Sequence, residues 1–227
     1  KGDPIASPSV LVEDFEPERL AFELSSPVAA LDPSGSSEVD IAARYLYGTP
    51  APNLSAEGDI ALSAASTVPA FPGYAFGLAE ESIDTVREPL TIDTPTDADG
   101  KAAFDVVLPD LPTATHPFSA TLSVRLADTN GRAVERSLSL PVGTNKPLIG
   151  IKPAFPGDAQ EDSAVAFDAI LVGPDGKRAA KAGVTWKLER VEQDYQWYRS
   201  NGRWNYEVVS NATRVDGGTA DFTTGTP

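Results

Sequence analysis

From Val39 to Tyr47 the odd positions hold Val39, Ile41, Ala43, Tyr45 and Tyr47, with Asp40 and Arg44 between them. The stretches Ala103–Leu108, Ala120–Leu126 and Arg136–Val142 alternate in the same way. A period of two places apolar side chains on one face of an extended strand and polar ones on the other, as a half-buried antiparallel sheet requires. The best helical window, Leu78 to Glu88, has no sustained apolar stripe and runs into Pro89. An isolated helix shorter than about 12 residues is marginal in water, so one or two turns at most are expected there. Between the strands lie Asp97-Ala98-Asp99-Gly100, Asp128-Thr129-Asn130-Gly131 and Gly173-Pro174-Asp175-Gly176, each setting Gly after Asp or Asn. These residues tolerate the positive φ of tight turns. Short alternating strands with regular turn signals predict an all-β chain of antiparallel β-sandwiches.

The chain has 227 residues, long enough for two such domains. Gly143-Thr144-Asn145-Lys146-Pro147 reads as a linker, and Leu148-Ile149-Gly150-Ile151 opens a new strand after it. The expected organisation is an extended lead-in over 1–19, with Val10–Phe15 at its heart, a sandwich over 20–143 and a second sandwich over 147–227. The second range is short for a full seven-stranded sandwich and is expected to be incomplete at its C-terminus. Methionine is absent even at position 1, which suggests a piece of something longer. The formal net charge is −15, from 18 basic and 33 acidic residues. Residues 1–147 hold 9 basic and 22 acidic residues and 148–227 hold 9 and 11, so the acidity belongs to the first part. An acidic surface repels phosphate backbones and anionic lipid, which argues against nucleic-acid or membrane partners. No apolar run approaches the roughly 20 residues that span a bilayer, and Lys1-Gly2-Asp3-Pro4 does not read as a signal peptide. Cysteine is absent, so disulfides, thiolate metal sites and a Cys nucleophile are excluded, and one histidine cannot form a zinc cluster.

Candidate chemistry is sparse. Asp97, Asp99 and Gly100 match positions 3, 5 and 6 of a calcium loop, but Pro95 and Val106 stand where its first and last carboxylates belong. A hairpin turn is the expectation. Asp158, Glu161 and Asp162 form a second acidic group, read as a solvated loop. His116, in Thr115-His116-Pro117, has no G-x-S-x-G serine to serve, and the adjacent acids Glu80 and Glu81 cannot face one substrate. The most distinctive stretch is Tyr195 to Val208. Asn201-Gly202 within it favours a two-residue hairpin turn, which pairs Arg199 with Trp204, Trp197 with Tyr206, and Tyr195 with Val208. One face then gathers Tyr195, Trp197, Trp204 and Tyr206, with Arg199 able to stack on Trp204. The inner wall of a sandwich is the expected role for these rings, and a partner-binding or interface surface is the alternative. A sugar-stacking platform of an adhesin-type module and a calcium-stiffened repeat are rival readings of the chain as a whole.

Several strings together resemble one family. They are Val12–Leu20, Ala43-Arg44-Tyr45-Leu46-Tyr47-Gly48-Thr49-Pro50-Ala51, Phe71-Pro72-Gly73-Tyr74-Ala75-Phe76-Gly77, Thr96–Ala102, Ile149-Gly150-Ile151-Lys152-Pro153 and Val191–Tyr198. In that order they resemble the middle of a bacterial α2-macroglobulin, at two consecutive macroglobulin-like domains, the fifth and sixth, before the bait region. The resemblance implies fibronectin-III-like sandwiches without catalytic residues or cofactors. It also implies a periplasmic parent, anchored to the inner membrane as a lipoprotein, that traps proteases once its bait is cut. Active members of the family hold an internal thioester built on a cysteine, which this chain does not contain. The implied partners are neighbouring domains of the parent and, through the parent, target proteases.

Overall fold

A computed structural model describes residues 19–127, 133–160, 163–200 and 202–225. The lead-in over 10–15, the turn at 128–131, and Glu161 and Asp162 lie outside the described residues. Twelve strands and no helix occur among the described residues, and they divide into two compact units.

Among the described residues the first unit comprises 19–63, 84–111 and 119–142. Its strands are β1 (Leu20–Ser25), β2 (Ser36–Tyr45), β3 (Ala56–Ala64), β5 (Val86–Leu90), β6 (Lys101–Val107), β7 (Phe118–Ala127) and β8 (Ala133–Pro141), and the pairs β1–β2, β2–β6, β3–β5 and β7–β8 are antiparallel. One sheet has the order β1-β2-β6 and the other β5-β3-β7-β8. The alternation in the sequence becomes alternation in burial. Val39, Ile41 and Ala43 are buried on β2, and Ala120, Leu122, Val124 and Leu126 on β7. Leu20, Phe22, Phe104, Val106, Ile60 and Leu62 are buried with them. The polar face of β7 is matched across the sheet, where Thr121 meets the Ser139 hydroxyl at 2.9 Å and Arg125 pairs with Glu135 at 2.6 Å. The window considered for a helix instead contributes β5, because Pro89 and the β-branched Val86 suit an edge strand better than a helix interior.

The turn before β6 shows how local chemistry sets a strand boundary. The Asp97 carboxylate accepts hydrogen bonds from the backbone N–H of Asp99 at 2.9 Å and of Lys101 at 2.8 Å. Gly100 has φ +76° and its carbonyl accepts from Ala43 N–H at 2.7 Å. A Cβ at that position would strike the carbonyl oxygen of Ala43, so only glycine fits.

The second unit comprises residues 64–83, 112–118 and 143–227. It therefore takes up two stretches from within the sequence range read as the first domain. One of them supplies β4 (Ala75–Phe76), which joins β9 (Leu148–Pro153) and β10 (Phe167–Val172) in a sheet of order β10-β9-β4. Tyr74, Phe76, Leu148, Ile170 and Val172 form its core, with Val68 and Phe71 packed against it. The Phe76 ring lies over Gly150, its register partner on β9, where a Cβ would come within 2.6 Å of the ring. The rest of the unit is a long antiparallel ribbon of β11 (Lys181–Ser200) and β12 (Arg203–Phe222), interrupted by two register shifts.

Candidate functional site

The ribbon's register is the one the Asn201-Gly202 signal predicts: Arg199 pairs with Trp204, Trp197 with Tyr206 and Tyr195 with Val208. Gly202 adopts φ +79°, as a tight turn needs. Residues directly opposite in an antiparallel pair share a face, so Tyr195, Trp197, Arg199, Trp204, Tyr206 and Val208 lie together. The rings touch one another. Tyr195 and Tyr206 have centroids 5.8 Å apart, and Trp197 and Tyr206 5.4 Å apart with planes inclined at 49°. The aromatic contacts converge on Tyr206. Tyr195, Trp197 and Tyr206 line a shallow hollow of about 310 Å³.

The expectation that these rings turn inward is not met. Tyr195, Trp197, Trp204 and Tyr206 are 58–67% exposed. The physical reason is topological: among the described residues β11 and β12 form a two-stranded sheet of their own, and nearly all their side chains stay exposed on both faces, where a sandwich would bury one. Four large rings left in water on one ribbon face are an apolar patch of the kind that marks interaction surfaces. The opposite face, nearer the ribbon's base, exposes Trp186 and Leu188 by 45% and 41%. Charge along the ribbon is paired locally, as in Lys187 with Glu189 at 2.8 Å and Arg190 with Glu192 at 3.1 Å.

A polar cluster that the sequence reading did not assemble lies in the second unit. Glu81, Thr115 and His116 come from its two separate stretches. The Glu81 Oε2 accepts from the Thr115 N–H at 2.9 Å and from the Thr115 hydroxyl at 2.7 Å. That hydroxyl accepts in turn from the Leu78 N–H at 2.9 Å. The His116 ring lies with Nδ1 3.1 Å from the Ala65 carbonyl oxygen and Nε2 3.0 Å from that of Leu78. The Thr115 hydroxyl, then its backbone N–H, hold the Glu81 carboxyl below its ordinary value of 4.5, and the nearby His116 adds a smaller effect in the same direction. No spacing rule links positions 34 residues apart in loops, which is why this cluster has no signature in the sequence.

Asp97 spends a carboxylate oxygen on its own turn, and among the described residues no three His, Asp or Glu side chains converge where a metal ion could sit.

Two family models match the chain in tandem. One, described as the bacterial alpha-2-macroglobulin MG5 domain, covers residues 18–143, and the other, bacterial macroglobulin domain 6, covers 150–227. Among whole proteins, alpha-2-macroglobulin of Xylella fastidiosa strain 9a5c is 31% identical over 219 residues, which is 95% of this chain and 13% of that protein. The Escherichia coli K12 alpha-2-macroglobulin is 28% identical over 204 residues, covering 82% of this chain and 12% of that one. Among solved structures, Salmonella alpha-2-macroglobulin reacted with methylamine superimposes with a TM-score of 0.69 at 27% identity, over 93% of this chain and 15% of that one. Escherichia coli alpha-2-macroglobulin activated by porcine elastase gives a TM-score of 0.67 at 25% identity, over 93% and 19%. The chain thus spans about an eighth of the length of the relatives it matches.

Proposed function

The chain belongs to the bacterial alpha-2-macroglobulins, matching their fifth and sixth macroglobulin domains in order, and from that premise we propose that it is non-catalytic bodywork of a protease-trapping parent. The observation that carries this reading is the tandem match across nearly the whole chain, joined to an all-β structure. A stacked pair of sheets contributes stiffness and surfaces rather than chemistry.

In this reading a protease cuts a bait segment elsewhere in the parent, and the domains shift against one another to enclose it. Interfaces between domains of one chain are commonly modest and polar enough to permit such shifts. The exposed face of Tyr195, Trp197, Arg199, Trp204 and Tyr206 is the surface on which a neighbouring domain of the parent rests. The parent works in the periplasm, held at the inner membrane by a lipid anchor outside these residues. Small-angle scattering of the full-length parent before and after proteolysis tests the proposal. A more compact profile after cleavage is expected, and an unchanged profile removes the case for rearrangement.

The exposure of the rings also supports a second reading, in which the hollow of Tyr195, Trp197 and Tyr206 stacks a sugar. Tryptophan fluorescence separates the two, since all three tryptophans, Trp186, Trp197 and Trp204, lie on the ribbon. A saturable change with a glycan panel supports sugar stacking, and silence across the panel dismisses it.

A further inference from the structure

His116 is the chain's single histidine, and both of its ring nitrogens face carbonyl oxygens, those of Ala65 and Leu78. A carbonyl oxygen can only accept. A neutral imidazole has one N–H and one lone pair, so it satisfies one of these contacts and sets lone pair against lone pair at the other. The imidazolium donates at both positions.

The surroundings complete a site for a cation. Glu81 Oε2 lies 3.9 Å from Nε2, and the Thr115 hydroxyl and N–H fix that carboxylate in place. The ring is pressed close over Gly77, whose φ is +88°, and a Cβ there would enter the ring. Its side chain is 14% exposed, so water offers little substitute for a lost partner. Three stretches meet the ring. Ala65 brings a carbonyl, Gly77 to Glu81 bring the Leu78 carbonyl and the Glu81 carboxylate, and Thr115 adjoins it in sequence. Glu81 is the one charged group within ion-pair distance of it among the described residues. The Leu78 carbonyl also accepts from the Glu81 N–H at 3.1 Å, so one oxygen closes the turn and binds the ring together.

We propose that His116 is bound as the imidazolium and works as a proton-dependent clasp, tying the Leu78–Glu81 turn to Ala65 within the second unit and releasing that turn when one ring proton leaves. The clasp is independent of the family reading, because it rests on donor and acceptor geometry inside one unit.

The test is long-range ¹H–¹⁵N spectroscopy of the imidazole ring, which needs no assignment in a chain with one histidine. While the Leu78–Glu81 turn is clasped, both ring nitrogens are expected to report as protonated. Raising the pH converts the ring to a neutral form, and the backbone amide signals of Leu78 and Glu81 move in step with it. In Glu81→Gln, which keeps an acceptor for Thr115 but loses the charge, the ring conversion shifts to lower pH. A neutral ring pattern while the Leu78 and Glu81 amides hold their clasped positions overturns the proposal. So do Leu78 and Glu81 amides that stay still while the ring proton leaves, and so does a conversion that Glu81→Gln does not move. The wild-type measurement stands alone if the variant fails to fold.

Discussion

Replacing Phe76 by Ala tests whether a two-residue strand, far from β9 in sequence, is part of the second unit's core. The ring is 1% exposed and packs with Tyr74, Leu148, Ile170 and Val172 over the bare backbone of Gly150. A buried aromatic side chain removes about 150–250 Å² from water. At about 25 cal/mol per Å² that is about 4–6 kcal/mol, an upper bound because unfolded chains already bury some surface. Phe→Ala substitutions in packed cores cost about 3–5 kcal/mol, in line with that range. Since about 1.4 kcal/mol is a factor of ten, amide protection should fall by about 100- to 4,000-fold, limited by the unit's total stability. Native-state hydrogen exchange read by mass spectrometry resolves where the fall occurs. Peptides over Leu148–Pro153 and Phe167–Val172 should lose protection, while those over Ala56–Ala64 and Phe118–Ala127 keep theirs. A loss below about threefold in β9 and β10, or one confined to β3 and β7, would refute the assignment of Phe76 to that core.

Gly100→Ala places a Cβ against the Ala43 carbonyl at a positive φ, and should destabilise the first unit by about 1–3 kcal/mol in urea denaturation. An unchanged midpoint would contradict the turn geometry. Glu81 has a depressed folded-state value, so its stabilising contribution is complete above the ordinary carboxylate value and is lost as pH falls through the folded one. Denaturation of wild type and Glu81→Gln from neutral to strongly acidic pH should show a gap that closes in acid, and a gap that widens would reverse the sign. The double substitution Trp197→Ala, Tyr206→Ala removes exposed rings. It should change the stability of this chain by about 1 kcal/mol or less, because an aromatic cross-strand pair contributes about that much. A loss of several kcal/mol would mean that the face is a core.

Strands whose one face is buried were legible because burial itself writes the period of two. Val39, Ile41 and Ala43, and the series from Ala120 to Leu126, show it directly. The ribbon's register was legible for a different reason: Asn201-Gly202 fixes the pairing, and Arg199, Trp197 and Tyr195 follow from it by counting. Alternation identifies a face but not what covers it. Tyr195, Trp197, Trp204 and Tyr206 were therefore placed on one side correctly, while their expected burial was not found. The part played by Ala75-Phe76 was hidden because two residues carry no period, and its partner strand begins more than 70 positions later. Likewise, the Glu81–Thr115–His116 cluster depends on loops that only the fold brings together.

The central claim is that these domains are passive bodywork whose ring face is covered inside a larger protein and moves when that protein is cut. Hydrogen exchange over residues 195–208 measures this most directly, in this chain alone and in the full-length parent before and after a protease is added. Protection in the intact parent should exceed that of the isolated chain by at least about tenfold, the exchange equivalent of about 1.4 kcal/mol, and should change on cleavage. Equal exchange in all three samples would contradict the account.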